Sequence, residues 1–362
     1  MKPVSNTAFY CCGIRMRDAE SPHPICGDRY ARLFMDERGM EIFRRFGSER
    51  GPNLSNLARA RYIDDLLRTR LAADPALRVV LIGCGFDSRA FRLHGGSWYE
   101  LDEPQLIAYK NERLSASQAP NPLRRIPIDF STDSLAQKLQ PLASAAPTVF
   151  VIEGVTMYIT AGSLRATLEV LKSLSPGHEV IADLMTRQFI DRYGRTIKRI
   201  IAELGAQMIP GDVPWRPFEA AGYRQVSSAA VASLAFRYGG LGLLNPVWQF
   251  FMPVLFSGYT VQVFEAGARS GGAARPDDQA RKHARRGLPR GPRGTEPNEV
   301  FQSYKTYRFT QWARRPGTQY RCWQDPARED DPQRRPARPQ LERAYLECSG
   351  ALARFALPVA AS

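Results

Sequence analysis

The residues with the types and spacing to do chemistry are four acids and a pair of glycines, each at the end of an apolar run. In VVLIGCGFDSRAF (79–91) apolar residues lead into Gly83-Cys84-Gly85, and Asp87 follows two positions later. A strand entering Gly-x-Gly lets the backbone turn tightly and approach a ligand with no Cβ in the way. A helix that follows points unpaired N–H groups at the same place. A dinucleotide fingerprint wants a third glycine where Ser88 stands. Asp87 adds a carboxylate near the turn, which repels a pyrophosphate and pairs with an ammonium. The pattern therefore favours a cofactor with a cationic amino-acid end over a nicotinamide dinucleotide.

Three further acids extend this edge. Asp102, in SWYELDEP, comes 19 residues after Gly83, the distance at which a carboxylate accepts hydrogen bonds from ribose hydroxyls; its competing role is a helix N-cap. Asp129, in IPIDF, has the place to hold an adenine amino group, with Phe130 offering its backbone N–H or ring face; here too an N-cap competes. Glu153, in VFVIEGVTMYI, ends another apolar run, and ligands of open α/β sheets bind beyond the carboxyl ends of the strands. The four histidines are scattered and His94 reads as an exposed loop residue. No Cys/His cluster or HExxH is present, so no metal site is expected.

These residues need a sheet to position them. Strands are expected at Arg78–Ile82, Ser97–Leu101, Leu123–Ile128, Thr148–Glu153 and Glu179–Asp183, with Ala220–Val226 and Tyr259–Glu265 closing the far edge. Helices are expected at Asp28–Phe46, Asn56–Ala73, Ser88–Leu93, Glu103–Leu114, Ser134–Leu142 and Ala161–Leu174. Alternating strands and helices predict an α/β fold with a mostly parallel, doubly wound sheet.

Bulk properties narrow the class. The net charge of +14 over 362 residues suggests nucleic acid until it is located. Residues 268–362 hold 19 Lys and Arg against 10 Asp and Glu, so the first 267 carry 31 against 26 and a surplus of only five. The basic stretch also holds ten of the 27 prolines, a composition that predicts low order; it lacks RGG repeats, and no specific nucleic-acid partner is expected. Six dispersed cysteines without CxxC spacing suit a reducing cytoplasm. Residues 238–264 are free of charge but broken by glycines and prolines, so a buried or pocket-lining segment is expected rather than a membrane span. Oligomeric state is not legible.

Taken together, RARYIDDLL (59–67), LIGCGFDSRAFRL, YELDEPQLIAYK, IDF and EGVTMYI resemble the leucine carboxyl methyltransferase superfamily. They resemble especially its bacterial polyketide-synthesis-type O-methyltransferases, and NTAFYCCGIRMRDAE and ICGDRYARLF match that branch's N-terminal segment. The resemblance spans residues 5–190 and thins toward Gly267. It implies a Rossmann-like class I methyltransferase core over 76–267, preceded by a helical segment or lid over 1–75 and followed by the tail over 268–362. It implies S-adenosylmethionine as cofactor, with Gly83, Gly85 and Asp87 at the methionine part, Asp102 on the ribose, Asp129 and Phe130 at the adenine and Glu153 near the amino-acid end. An arginine of the preceding helix would pair with the cofactor carboxylate; Arg59 is the first choice and Arg61 stays open. Two features depart from the family: Thr156 replaces a larger apolar residue, and the tail has no counterpart.

The acceptor is expected to be a small, largely apolar molecule carrying a carboxylate or hydroxyl, polyketide-like or an organic acid, with Tyr158 and Trp248 as candidate pocket residues. A carboxylate nucleophile needs no base, whereas a hydroxyl does, and no base is evident in the sequence. The alternative is an inactive S-adenosylmethionine-binding or interaction protein with a basic arm.

Overall fold

Seven apolar runs form the strands of one sheet: β1 (Arg78–Ile82), β2 (Ser97–Asp102), β3 (Leu123–Pro127), β4 (Thr148–Ile152), β5 (Glu179–Met185), β6 (Tyr223–Ala230) and β7 (Tyr259–Ala266). The computed structural model describes residues 2–239 and 245–267; the Arg- and Pro-rich stretch lies outside them. The strand order is β3-β2-β1-β4-β5-β7-β6. Strands β1 to β5 pair in parallel, while β7 runs antiparallel to both β5 and β6. The expected parallel sheet is present, and its antiparallel edge is a feature that strand composition cannot reveal.

Residues alternate between the two faces of the strands. Val79, Leu81, Val149, Val151, Ile181 and Val263 join the core formed with Phe9, Phe34, Phe43, Ile63 and Leu67. Val80, Ile82, Phe150 and Ile152 face the other way, onto Leu164, Leu168, Leu171 and Phe218. With both faces covered, the central strands carry near-continuous apolar sequence. The exposed residues of β6 belong to an edge strand.

The order reverses between β1 and β4, and this is the place where the crevice of such a sheet opens. Three helices cover it from the N-terminal side: α1 (Pro3–Ala19), α2 (Glu37–Phe46) and α3 (Arg50–Ala73). The single helix expected over 28–46 is interrupted. A 3-10 turn at Ala31–Phe34 precedes α2, whose first turn is capped by Asp36 accepting from the Gly39 N–H at 2.8 Å. Helix α3 starts six residues before the expected Asn56. Short helices at Arg187–Tyr193 and Arg195–Glu203, absent from the sequence reading, wall the crevice on the far side.

The charge-free run 238–264 is divided by its prolines into helices Asn245–Phe251 and Pro253–Ser257 and strand β7. Phe250 and Phe251 are 79% and 69% exposed, which departs from the buried, pocket-lining segment expected. Among the described residues no helix is long and apolar enough to cross a membrane.

A buried ion pair supports β2 from below. Lys110 and Glu100 are both fully buried, with Lys110 Nζ 2.7 Å from Glu100 Oε2 and Arg125 Nε 2.8 Å from the same oxygen. Removing Lys110 would leave the buried Glu100 with Arg125 alone, and weakening the pairing of a buried charge is costly. Lys110→Met is therefore expected to lower unfolding stability by about 3 kcal/mol, read from the urea midpoint at constant slope; an unchanged midpoint would show the pair to be dispensable.

Candidate active site

The turn after β1 is pinned to the end of β2. Gly83 and Cys84 both donate their N–H to the Leu101 carbonyl, at 2.9 and 3.0 Å. Gly85 N–H donates to Asp102 Oδ2 at 2.7 Å, and Glu103 N–H donates to Asp102 Oδ1 at 2.7 Å. Gly83 has φ +72° and Gly85 φ +49°, values that favour glycine. A Cβ on Gly83 would also stand 2.5 Å from Val155 Cγ2. The turn is thus specified by backbone conformation and by contact with the segment after β4.

Above it opens a cavity of about 690 Å³, within the usual range for ligand sites. Its polar end holds Gly83, Gly85, Asp87, Arg89, Asp102, Glu153 and Arg59; α1 contributes Thr7, Ala8, Tyr10 and Cys11. The other end is apolar, with Met157, Tyr158, Met185, Phe189, Tyr193, Ile197 and Met208 in its wall.

Arg59, on α3, is buried and held by three groups of the protein. Its Nε donates to Glu153 Oε1 at 2.9 Å, and its Nη1 donates to Asp183 Oδ2 at 3.0 Å and to the Tyr259 hydroxyl at 2.8 Å. Among the described residues its Nη2 meets only the Cys11 sulfur, as a donor at 4.0 Å. Arg61 points elsewhere: it donates to Asp65 and to the Ile25 carbonyl, lies over the Tyr238 ring and does not line the cavity.

Arg89 is a second buried guanidinium, which the sequence reading missed. It pairs with Asp64 at 2.6 Å, Asp87 at 2.5 Å and Glu153 at 2.7 Å, and donates to the Ala60 carbonyl at 3.1 Å. Both Asp87 oxygens are taken by Arg89, one by the backbone N–H and one by the guanidinium. Ser88, at the place of the absent glycine, donates to Asp28 at 2.6 Å and accepts from Arg92. Arg15 of α1 pairs with the same Asp28 and donates to the Phe86 carbonyl, tying the N-terminal helix to the turn. The signal for Asp64 was its place on the buried stripe of α3, beside Ile63 and between Ala60 and Leu67.

The other predicted positions are distributed as follows. Phe130 lines the cavity, but the Asp129 carboxylate accepts from Lys2 Nζ at 2.6 Å and from the Ser131 N–H at 2.8 Å, outside the lining. Lys2 also pairs with Glu103 at 2.9 Å, so the start of α1 is fastened to the ends of β2 and β3. Tyr158 lines the apolar end. Trp248 does not; it packs behind the wall in a cluster with Phe236, Phe189 and Tyr193. Thr156, the departure from the family pattern, donates its hydroxyl to the Asp183 carbonyl at 2.7 Å. His94 is exposed. Among the described residues no group of three or more His, Cys, Asp or Glu has the arrangement to hold a metal ion.

The electrostatics divide the acids. Burial works to raise the Glu153 carboxyl, but Arg89 and Arg59 outweigh it and hold it at about 2. Burial wins at Asp87 and Asp183, which lie above the ordinary range even though Arg89 and Arg59 oppose it. Asp102 is also raised by burial, against the Gly85 and Glu103 N–H groups, and no cation pairs with it among the described residues. Burial pushes the Tyr10, Tyr158 and Tyr259 phenols up.

Residues 8–172 match the sequence model of the leucine carboxyl methyltransferase family. The chain is similar to a Mycolicibacterium smegmatis protein named as an S-adenosyl-L-methionine-dependent methyltransferase, with 31% identity over 192 residues. That alignment covers 48% of this chain and 64% of the relative. A Mycobacterium tuberculosis relative with the same kind of name is 32% identical over 176 residues, covering 44% of this chain and 58% of the relative. The chain thus spans less than two thirds of the length of these relatives. Among solved structures it is similar to the Synechocystis magnesium protoporphyrin IX methyltransferase, at 14% identity and a TM-score of 0.39 over 66% of this chain and 94% of that one.

Because the Glu153 carboxyl is held below its ordinary value, its ionised form stabilises the fold above about pH 4.5, and this contribution is lost as pH falls toward 2. Glu153→Gln should cost on the order of 3 kcal/mol at pH 7. The gap to wild type, measured by urea unfolding, should narrow steadily below pH 4.5. A gap constant from pH 7 to pH 3 would show that the two arginines do not hold this carboxylate ionised.

Proposed function

We propose that this chain is an S-adenosylmethionine-dependent O-methyltransferase acting on a small, largely apolar acceptor. One observation carries the reading: the cavity joins a glycine turn, an unpaired carboxylate and an arginine with one uncommitted nitrogen to an apolar, aromatic chamber. The family match over residues 8–172 and the names of the relatives support it.

The residues fit such a cofactor. The turn at Gly83 and Gly85 leaves the backbone bare for close approach. Asp102 uses one lone pair of each oxygen on backbone N–H groups and keeps acceptor capacity for two ribose hydroxyls. Arg59 Nη2 is the donor for a carboxylate, and Arg61 is not in reach of the cavity. Phe130 offers a ring face at the sheet edge for the adenine, while Asp129 contributes there through Lys2. Asp87 and Glu153 act through Arg89 and Arg59, setting the field at the amino-acid end rather than binding it in isolation.

When bound, S-adenosylmethionine supplies an electrophilic methyl group on a sulfonium. The chain's task is then to align an acceptor oxygen and keep water out, and positioning of this kind provides much of the rate enhancement of such transfers. Tyr158, Phe189 and Tyr193 make the apolar wall against which an acceptor would be held, while α1 closes the cavity from above.

A carboxylate acceptor suits the lining better than a hydroxyl. Among the described residues no histidine lines the cavity. Asp87 and Glu153 are paired with arginine and Glu103 with Lys2, and the three phenols are held protonated. Asp102, the lining acid that no cation pairs with among the described residues, is taken by the ribose in this reading, and an ionised acid acceptor needs no base.

Calorimetry on the full chain should show S-adenosylmethionine binding to wild type and a loss of about 10- to 100-fold in Asp102→Ala; absence of binding by folded wild type would sink the reading. Turnover of an apolar carboxylic acid should be level between pH 6.5 and 8.5, whereas a phenolic acceptor should gain about tenfold per pH unit below its own pKa. A rise with an apparent pKa near 7 on the carboxylic acid would reveal a base that the lining does not display. Binding without transfer to acids or phenols would leave a cofactor-binding protein.

A further inference from the structure

Asp183 has no place in the residues discussed so far as ligand contacts, yet it is fully buried at the end of β5 and joins three elements behind the cavity wall. Its Oδ1 accepts from the Gly154 N–H at 2.7 Å, in the turn after β4. Its Oδ2 accepts from Arg59 Nη1 at 3.0 Å and from the Tyr259 hydroxyl, at the start of β7, at 3.2 Å. Tyr259 in turn accepts from Arg59 Nη1 at 2.8 Å. The Arg59 edge facing Asp183 and Tyr259 is therefore saturated, and the nitrogen left over, Nη2, lies at the cavity beside Cys11 and Gly154.

We propose that Asp183 is a positioning residue for recognition of the cofactor's carboxylate: by fixing the inner edge of Arg59, it sets the orientation in which Nη2 faces the cavity. The assignment rests on the S-adenosylmethionine reading above. An arginine side chain has several rotatable bonds, and the single Nε contact with Glu153 leaves the guanidinium plane free to turn about it. The Asp183–Tyr259 pair removes that freedom, so the donor is in place before the ligand arrives and less is lost in ordering it. The same carboxylate holds Gly154, whose φ of +70° favours glycine and which lies beside Arg59.

Asparagine cannot replace this residue. Both carboxylate oxygens accept from N–H donors, so an amide nitrogen at either position sets donor against donor. The test compares two ligands that differ in the amino-acid end. S-adenosylhomocysteine carries the carboxylate, and 5′-methylthioadenosine lacks the whole amino-acid end while sharing the nucleoside. In calorimetry on the full chain, Asp183→Asn is expected to weaken S-adenosylhomocysteine about tenfold or more and to leave 5′-methylthioadenosine within about twofold. Tyr259→Phe, which keeps the ring and its packing, should show the same selectivity at about threefold.

Equal weakening of both ligands by Asp183→Asn would overturn the proposal in favour of a purely structural role. Unchanged or tighter S-adenosylhomocysteine binding would also overturn it, since Asp183 would then only oppose the anion. If wild type binds neither ligand, the cofactor reading itself fails, and the assignment of Asp183 falls with it.

Discussion

The polar end of the cavity depends on keeping two guanidiniums buried. Arg59 and Arg89 lie out of solvent between α3, the turn after β1 and the end of β4. Such charges are tolerated only where carboxylates and carbonyls satisfy them. Glu153 serves both arginines, Asp64 and Asp87 serve Arg89, and Asp183 serves Arg59. The network continues through Arg92 and Asp28 to Arg15 of α1. Helices and strands far apart in the chain are therefore held in register at one place by charge as well as by apolar packing.

This arrangement bears directly on ligand chemistry. A network with every donor committed would be a structural clamp, but here Arg59 keeps one nitrogen at the cavity and Asp102 lacks a cation. Those two groups bracket the glycine turn, one a donor toward an anion and the other an acceptor toward hydroxyls. The remaining lining acids are already spent on arginine or lysine, and burial raises the Tyr10, Tyr158 and Tyr259 phenols. The polar end is thus built to bind and orient, and the apolar end to exclude water, with little provision for proton transfer between them.

The N-terminal helix completes the enclosure by two different means. Near its end, Arg15 reaches the buried Asp28 and the Phe86 carbonyl, joining it to the back of the turn. At its start, Lys2 pairs with the buried Glu103 and the partly exposed Asp129, just beyond the ends of β2 and β3. The first contact is buried; in the second, Lys2 and Asp129 are partly exposed, and exposed ion pairs contribute little.

Much of this was legible in the sequence because it is local. The Gly83-Cys84-Gly85 turn follows from φ values that glycine adopts readily, the central strands from apolar runs, and helix Ala161–Leu174 from its periodicity. Asp87, Asp102 and Glu153 could be singled out because each ends a strand or follows a turn. What depends on long-range contact was not legible. Arg59 and Arg61 sit two residues apart on one helix, and only packing turns the first into the cavity and the second onto Tyr238. Asp129 had the right place on the sheet edge, but Lys2, 127 residues away, claims its carboxylate. Trp248 looked like a pocket residue by its type and lies behind the wall. Arg89, within a quoted motif, and Asp183 and Tyr259, in expected strands, were given no role, because their significance is a meeting of polar groups from five elements. The chain by itself determined which backbone can turn and which runs must be buried; the tertiary structure decided which charged groups find partners and which remain open to a ligand, because ion pairing is settled by distance in space and not by spacing along the chain.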